Sequence, residues 1–218
     1  MADIKITILV DNPDSWIKPY VIELINLLKK KGYPVSLIQH YREIKPGDIA
    51  IFLSCNRIVP KKILSLNKHN LILHESAVPE GKGWSPLTWQ ILEGKNKIPI
   101  SLFEADEKVD SGQIYFQDTM IFDGSELLEE IHDIQGRKTI DLCLKFIDSY
   151  PEVVGKAQEG AETFYPRRYP ENSEIDVNQS IAELFNTFRV ADNDRYPIFF
   201  NHKGYKYILK IEKVGKSK

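Results

Sequence analysis

Along the first half of the chain, apolar positions fall into short runs separated by stretches with helical spacing. Ile4 to Val10 is β-branched and apolar almost throughout. After the turn Asp11-Asn12-Pro13-Asp14, residues Ile17, Val21, Ile22, Leu24, Ile25 and Leu28 recur at the spacing of an amphipathic helix. Asp14 or Ser15 can cap that helix, because a short oxygen-bearing side chain satisfies the free amides of a first turn. Lys29-Lys30-Lys31 suits its negative end and Gly32 its stop. Pro34 to Ile38, Asp48 to Ser54 and Asn70 to His74 are predicted strands, with a short helix from Lys61 to Leu66 between the last two. Trp84 to Leu92 is a predicted helix, and Ile98 to Ala105 and Gly112 to Ile121 are two more strands. A long helix from Ser125 to Tyr150 carries Glu126, Glu129 and Glu130 at its positive end.

Apolar strands alternating with helices predict an α/β fold whose mainly parallel, twisted sheet is covered on both faces. Pro151 ends the pattern. Beyond it come Tyr165-Pro166-Arg167-Arg168-Tyr169-Pro170 and a predicted helix from Asn178 to Val190. Two closing strands follow, Ile198 to Asn201 and Tyr205 to Val214, joined through His202-Lys203-Gly204. The expected organisation is a core at residues 1–150 and a small C-terminal α+β subdomain at 151–218.

Composition narrows the class of function. The 218 residues are 42% hydrophobic and 28% charged, enough to bury a real core. A net charge of −2 leaves no basic excess to neutralise a phosphate backbone, so no nucleic-acid ligand is expected. The stretch from Lys210 to Lys218 is expected to be a solvated tail. Cys55 and Cys143 make neither a disulfide framework nor a zinc site and suit a reducing compartment. The N-terminus, Met1-Ala2-Asp3-Ile4-Lys5, has no apolar signal core, and no apolar run approaches the ~20 residues of a membrane helix. A cytoplasmic protein without membrane contact is the expectation, with oligomeric state open.

The first turn carries no G-x-G-x-x-G and no Walker pattern, so ordinary dinucleotide and P-loop readings gain no support. In open parallel sheets ligands gather at the carboxyl ends of strands, and three segments are predicted to meet there: Ser54 to Pro60, His74 to Pro86 and Ala105 to Gly112. His74 ends a strand and has Asp110 in another loop as a partner. A histidine near neutrality can donate to a developing oxyanion or shuttle a proton, while a carboxylate fixes its tautomer. By themselves both residues have plain readings, a structural hydrogen-bonder and an ordinary turn. His40, His69, His132 and His202 lack metal-ligand spacing, so no metal is expected.

Taken together, the motifs resemble the folate-dependent formyltransferases. His74-Glu75-Ser76, then Val78-Pro79, Gly83 and Ser85-Pro86, are similar to that family's N-x-H-x-S-x-L-P signature with its following glycine and proline. Val109-Asp110-Ser111-Gly112 with Ile114 resembles the second motif, and the step from 74 to 110, 36 residues, matches the usual gap. The resemblance covers about Ile4 to Tyr150 and implies a Rossmann-like formyltransferase core. It implies 10-formyltetrahydrofolate as formyl donor and His74 and Asp110 as the catalytic pair. The folate is then expected against Asn56, Arg57, Ile58 and Val59, whose loop grips a pteridine largely through backbone groups, and against Ala105, Asp106 and Val109. The acceptor is expected over Gly83 and Trp84, with Glu75 orienting its amine. Lys82 is expected either at a pyrophosphate or in solvent, and Trp84 either stacked on a base or sugar or in the core. Arg167-Arg168 either attracts phosphate or belongs to a surface strap.

One position departs from the family. The Asn expected two residues before the histidine is Ile72, and Asn70 lies about 13 Å upstream of His74 at ~3.3 Å per strand residue. Either Asn56 or a backbone amide supplies the missing donor, or this branch works without it. Gly-Lys-Gly-Trp-Ser-Pro-Leu, Asp-Ser-Gly-Gln-Ile-Tyr and the tail motifs Arg189 to Asn193 and Tyr196 to Phe200 resemble the sugar N-formyltransferases of pseudaminic-acid-type pathways. They also resemble formylation domains of nonribosomal peptide synthetases. The implied function is formylation of a nucleotide-linked amino sugar, a UDP-4-amino sugar above all, in a bacterial setting. A carrier-bound or tRNA-bound aminoacyl amine is the alternative acceptor, and a non-catalytic folate-binding homologue is the rival from another class. The methionyl-tRNA enzymes would call for a larger basic C-terminal domain, and the glycinamide ribonucleotide enzymes for a Gly-rich loop where this chain has Val10-Asp11-Asn12-Pro13.

Overall fold

Six of the apolar runs form one twisted sheet, seen in a computed structural model that describes residues 4–215. The elements are β1 (Ile6–Leu9), α1 (Lys18–Lys30), β2 (Val35–Ile38), β3 (Gly47–Phe52), α2 (Lys61–Leu64), β4 (Asn67–His74), β5 (Lys82–Gly83), α3 (Pro86–Leu92), β6 (Lys97–Glu104), β7 (Ile114–Ile121), α4 (Leu128–Ser149), β8 (Phe164–Tyr165), α5 (Ile181–Arg189), β9 (Ile198–His202) and β10 (Tyr205–Leu209). The large sheet runs β2-β1-β3-β4-β6-β7. Its strands alternate between two cores, as buried strands must. Ile6, Ile8, Ile49 and Ile51 pack under α1 and α4, while Leu9, Ala50 and Phe52 pack on the opposite face with Leu64 of α2.

β2, β1, β3 and β4 are parallel, but β6 and β7 run antiparallel to their neighbours. This corrects the expectation that the 105–112 loop leaves from a carboxyl end shared with β4. β6 descends alongside β4 with Ser101 opposite His74 and Glu104 opposite Leu71. The loop therefore starts beside Asn70, whose carbonyl accepts from the Ala105 amide at 2.6 Å, and must turn back to reach His74.

Several boundaries shift for local reasons. α1 begins at Lys18 with Ile17 in the cap position and no side-chain cap, because Pro19 already suits the first turn. Ser15 is instead tied through its hydroxyl to Ser54 at 2.9 Å. α3 begins at Pro86, so Trp84 lies outside the helix. α4 begins at Leu128, since Glu126 accepts the amides of Asp123 and Gly124 in the preceding turn. α5 starts after Ser180, which forms a capping box with Glu183. The β9–β10 hairpin turns through Lys203 and Gly204, both at positive φ as a two-residue loop of this hand requires.

Beyond Pro151 the chain crosses back over the core. Lys156 bridges Ile114, and β8 pairs in parallel with β5, Lys82 opposite Phe164 and Gly83 opposite Tyr165. Arg189 of α5, 1% exposed, pairs with Glu126 at 3.1 Å and donates to Asn96 at 2.9 Å. Val190 joins the main core, while Ile175, Leu184, Phe188, Ala191 and Ile198 form a smaller cluster. Of the expected tail, Lys210 pairs with Asp194 and Lys213 with Glu130, while residues 216–218, like Met1 to Asp3, lie outside the described residues. No helix among the described residues is long and apolar enough to cross a membrane.

Candidate functional site

A cleft of about 810 Å³ opens above β3 and β4. Its wall includes Asn56 to Val59, His74 and Glu75, Gly83 and Trp84, and Ala105, Asp106, Val109 and Asp110. Lys82 is the one expected site residue that is absent from it. Its side chain is 1% exposed and its Nζ sits 2.8 Å from Glu162 Oε1, so burial and pairing withdraw it from any ligand phosphate. Trp84 is 42% exposed at the cleft wall, which removes its core reading.

His74 and Asp110 meet across this cleft, 7% and 8% exposed, with Nε2 3.9 Å from Oδ2. Neither bonds the other directly. His74 Nε2 donates to the Gly81 carbonyl at 3.0 Å, which assigns the proton of a neutral ring to Nε2 because a carbonyl only accepts. Asp110 Oδ2 accepts the Gly83 amide at 3.1 Å. Asp110 itself sits at φ 53°, in the left-handed region where a non-glycine residue needs external support. Gln158 supplies it, donating to the carbonyls of Asp110 and Gly112 at 3.0 and 2.9 Å.

That support comes from a strap, residues 156–166, which the linear pattern did not single out as part of the site. Thr163 Oγ1 accepts the Gly81 amide at 2.8 Å, and Glu162 bridges Lys82 and Lys108, both at 2.8 Å. The two lysines hold the Glu162 carboxyl down at about 2, well below its ordinary 4.5. The strap thus clamps the loops of His74 and Asp110 together from one side. Gly83 has φ 97°, and a Cβ there would lie 2.4 Å from the Tyr165 carbonyl, so only glycine admits this pairing. No short motif marks the strap residues, because their partners are 46 to 82 positions away.

The 54–60 loop is braced from below. Asp11 accepts the amides of Asn56 and Arg57, at 2.9 Å each. Those two backbone donors are therefore committed, leaving the loop's other groups to face a ligand. Cys55 lines the cleft, but burial pushes its thiol up to about 12, and its Sγ lies 3.4 Å from the Leu9 carbonyl. It is not a ready nucleophile. Ile72 also lines the cleft, and Asn70 sits lower on β4, its amide donating to the Leu64 carbonyl at 3.0 Å. Asn70 thus anchors α2.

Glu75 accepts from Gln135 of α4 at 2.6 Å. It keeps partial solvent contact, yet the surrounding protein raises its carboxyl above the ordinary value by desolvation, against the lowering influence of His74 and Gln135. His132, one turn earlier on α4, stacks on Trp16 at 4.1 Å and 7° between planes. Burial pushes its pKa from 6.5 down to about 4. The folded state then binds fewer protons than the unfolded chain between those values, so stability must fall as pH drops from 6.5 to 4. The loss reaches up to about 3 kcal/mol at ~1.4 kcal/mol per pH unit. In His132→Phe, which keeps the stacked ring, chemical unfolding at pH 7 and pH 4.5 should lose most of that difference. An unchanged pH dependence would count against this assignment.

A buried His–Asp pair in a ligand-sized cleft, over an α/β sheet, defines an acid–base site fit for group transfer. Residues 13–135 match the formyl transferase family, and the chain belongs to that family. It is 32% identical over 158 residues to a methionyl-tRNA formyltransferase of Clostridium beijerinckii, covering 71% of this chain and 51% of that protein. The chain spans about half the length of the curated relatives it matches. Its fold is that of a methionyl-tRNA formyltransferase from Clostridium thermocellum, with TM-score 0.81, 23% identity and coverage of 98% and 95% of the two chains. HypX from Aquifex aeolicus in complex with tetrahydrofolic acid has TM-score 0.78 and 18% identity over 100% of this chain and 40% of that one. A sugar N-formyltransferase from Shewanella sp FDAARGOS_354 has TM-score 0.74 and 12% identity over 98% and 99%. At these identities the structural likenesses speak for the fold.

Proposed function

We propose that this chain transfers a formyl group from 10-formyltetrahydrofolate to the amine of a nucleotide-linked amino sugar, a UDP-4-amino sugar in the first instance. The observation that carries the reading is the approach of His74 and Asp110 to 3.9 Å inside the cleft. The cleft volume suits a folate together with part of an acceptor, and tetrahydrofolate is bound by a protein of the same fold. Asn56 to Val59, with Ala105, Asp106 and Val109, hold the folate, which supplies the formyl carbon and its leaving nitrogen when bound.

The protein residues handle charge and protons. The acceptor amine attacks the formyl carbon as the neutral base; Asp110 takes the proton it loses and would return it to the folate nitrogen as the bond from that nitrogen to the formyl carbon breaks. The His74 ring, oriented by the Gly81 carbonyl, donates its Nε2 hydrogen toward the oxygen on which negative charge grows. Glu75, held by Gln135, orients the amine. The protein acts in the cytoplasm.

A second acceptor, the aminoacyl amine of a tRNA, is favoured by the 32% identity to a methionyl-tRNA formyltransferase. A non-catalytic folate binder draws only on Ile72. Purified protein should be given 10-formyltetrahydrofolate with a panel of nucleotide-linked 4-amino sugars, carrier-bound aminoacyl groups and methionyl-tRNA. Release of tetrahydrofolate with an amino sugar alone is the expected result. Release with methionyl-tRNA alone would select the second acceptor, and folate binding without turnover on any amine would select the third reading.

A further inference from the structure

The sequence has seven arginines, and their distribution is uneven. Arg137 and Arg189, outside the cleft, are paired with Asp133 and Glu126. Arg57, Arg167, Arg168 and Arg195 all line the cleft, and among the described residues none of these four has a carboxylate within ion-pairing distance. Arg57 belongs to the loop assigned to the folate. The other three come from two segments, 167–168 at the end of the strap and 195 in the turn after α5, and line the same cleft as Tyr196. The Arg168 guanidinium lies 5.4 Å from the Tyr196 ring centre, and Arg195 is the residue before it.

Their bonding leaves capacity unused. Arg168 donates to the Val190 carbonyl at 3.2 Å and the Ser173 hydroxyl at 2.9 Å, both neutral, and its Nε is buried without a partner. Arg167 lies over the exposed Trp84 ring at 5.0 Å and beside Tyr169 at 5.8 Å. Asp192 is the carboxylate on this wall, and its Oδ1 is occupied by the amides of Asp194 and Arg195 at 3.0 and 2.9 Å. The other cleft carboxylates have partners of their own: Glu75 accepts from Gln135, Asp110 from the Gly83 amide and Asp106 from the Glu107 amide. Three guanidiniums on this wall thus share one carboxylate, Asp192, which lies beyond ion-pairing distance of each, in a chain whose overall charge is −2. The four arginines of the cleft are matched in number by Glu75, Asp106, Asp110 and Asp192, so the positive excess is local: three guanidiniums beside Asp192 on one wall, which concentrates an anionic ligand at that wall.

We propose that Arg167, Arg168 and Arg195 form a diphosphate-binding wall, with Trp84 beside it as the platform for the attached base, so that the acceptor is anchored through a nucleoside diphosphate. Forked guanidinium donors match phosphate oxygens, several of which a diphosphate presents at once, and an aromatic face next to them accepts a planar ring. This deepens the acceptor assignment above and rests on it. It also moves the phosphate anchor from Lys82, which is buried on Glu162, to the arginines across the cleft.

The test is calorimetric titration of the whole chain with UDP and other nucleoside diphosphates, inorganic pyrophosphate, uridine and tetrahydrofolate. UDP and pyrophosphate should bind, and uridine should bind at least about a hundredfold more weakly than UDP because it lacks the charge-assisted contacts. Arg167→Ala and Arg195→Ala, both exposed and safe for folding, should each weaken UDP at least about tenfold and leave tetrahydrofolate affinity unchanged. Arg168→Lys keeps the charge and should lose affinity for UDP through its lost fork. Wild-type protein that binds neither UDP nor pyrophosphate, or UDP affinity unchanged from wild type in all three variants, would overturn the proposal. Arginine-dependent UDP binding without tetrahydrofolate binding supports the wall while removing the folate reading.

Discussion

Formyl transfer in His74→Ala and in Asp110→Asn is expected to fall at least about a hundredfold each, with the fold retained. The two losses have different physical origins. His74→Ala deletes the imidazole that donates to the growing oxyanion and leaves the Gly81 carbonyl without its 3.0 Å partner. Asp110→Asn keeps an oxygen for the Gly83 amide, now bonded at 3.1 Å, so the loop should stay in place. What disappears is the carboxylate 3.9 Å from Nε2, and with it the proposed acceptor for the amine proton. Turnover should therefore drop in Asp110→Asn with folate affinity and melting temperature nearly unchanged. The pair acts on one transition state, so the double variant should lose much less than the product of the single losses. Single variants with near-normal rates would remove this mechanism.

Gly112→Ala should destabilise the fold by about 3 kcal/mol or more and abolish turnover with it. A Cβ at Gly112 would stand 1.8 Å from the Glu104 carbonyl oxygen and 2.7 Å from its carbon, both backbone atoms of β6. Backbone cannot swing aside as a side chain can, so the 105–112 loop must move away from the strand. Asp110, two residues earlier, would move with it and lose its place opposite His74 and its grip from Gln158. Chemical denaturation would measure the stability, and assays at low temperature, where the variant is still folded, would measure activity. A variant as stable as the parent would show that the loop relaxes around the methyl group at no cost. A destabilised variant with full low-temperature activity would show that Asp110 does not depend on this contact.

The alternation of apolar runs and helix-spaced stretches foretold the elements of the core, because burial imposes a period of two on strands and near four on helices. Boundaries failed where a side chain chose a partner outside its own element. Ser15 reached Ser54 instead of capping α1, and Glu126 closed a turn before α4 began. Strand direction was not legible. Nothing in Ile98 to Glu104 distinguishes a parallel from an antiparallel neighbour when the strand is buried on both faces, and that direction decides where the 105–112 loop starts.

At the site, local sequence singled out the residues proposed to carry the chemistry. His74, Asp110 and the glycines near them have fixed reactivity and conformational freedom wherever they are placed, so their order and spacing could announce them. Tertiary structure decided the rest. It buried Lys82 against Glu162, exposed Trp84, and gave Asp110 its support from Gln158, 48 residues along the chain. It also gathered three arginines around one cleft from segments that the sequence showed only as a basic pair and a lone residue. The reason is that burial and charge pairing belong to positions in space, and a chain that returns across its own core after Pro151 sets those positions only once it is folded.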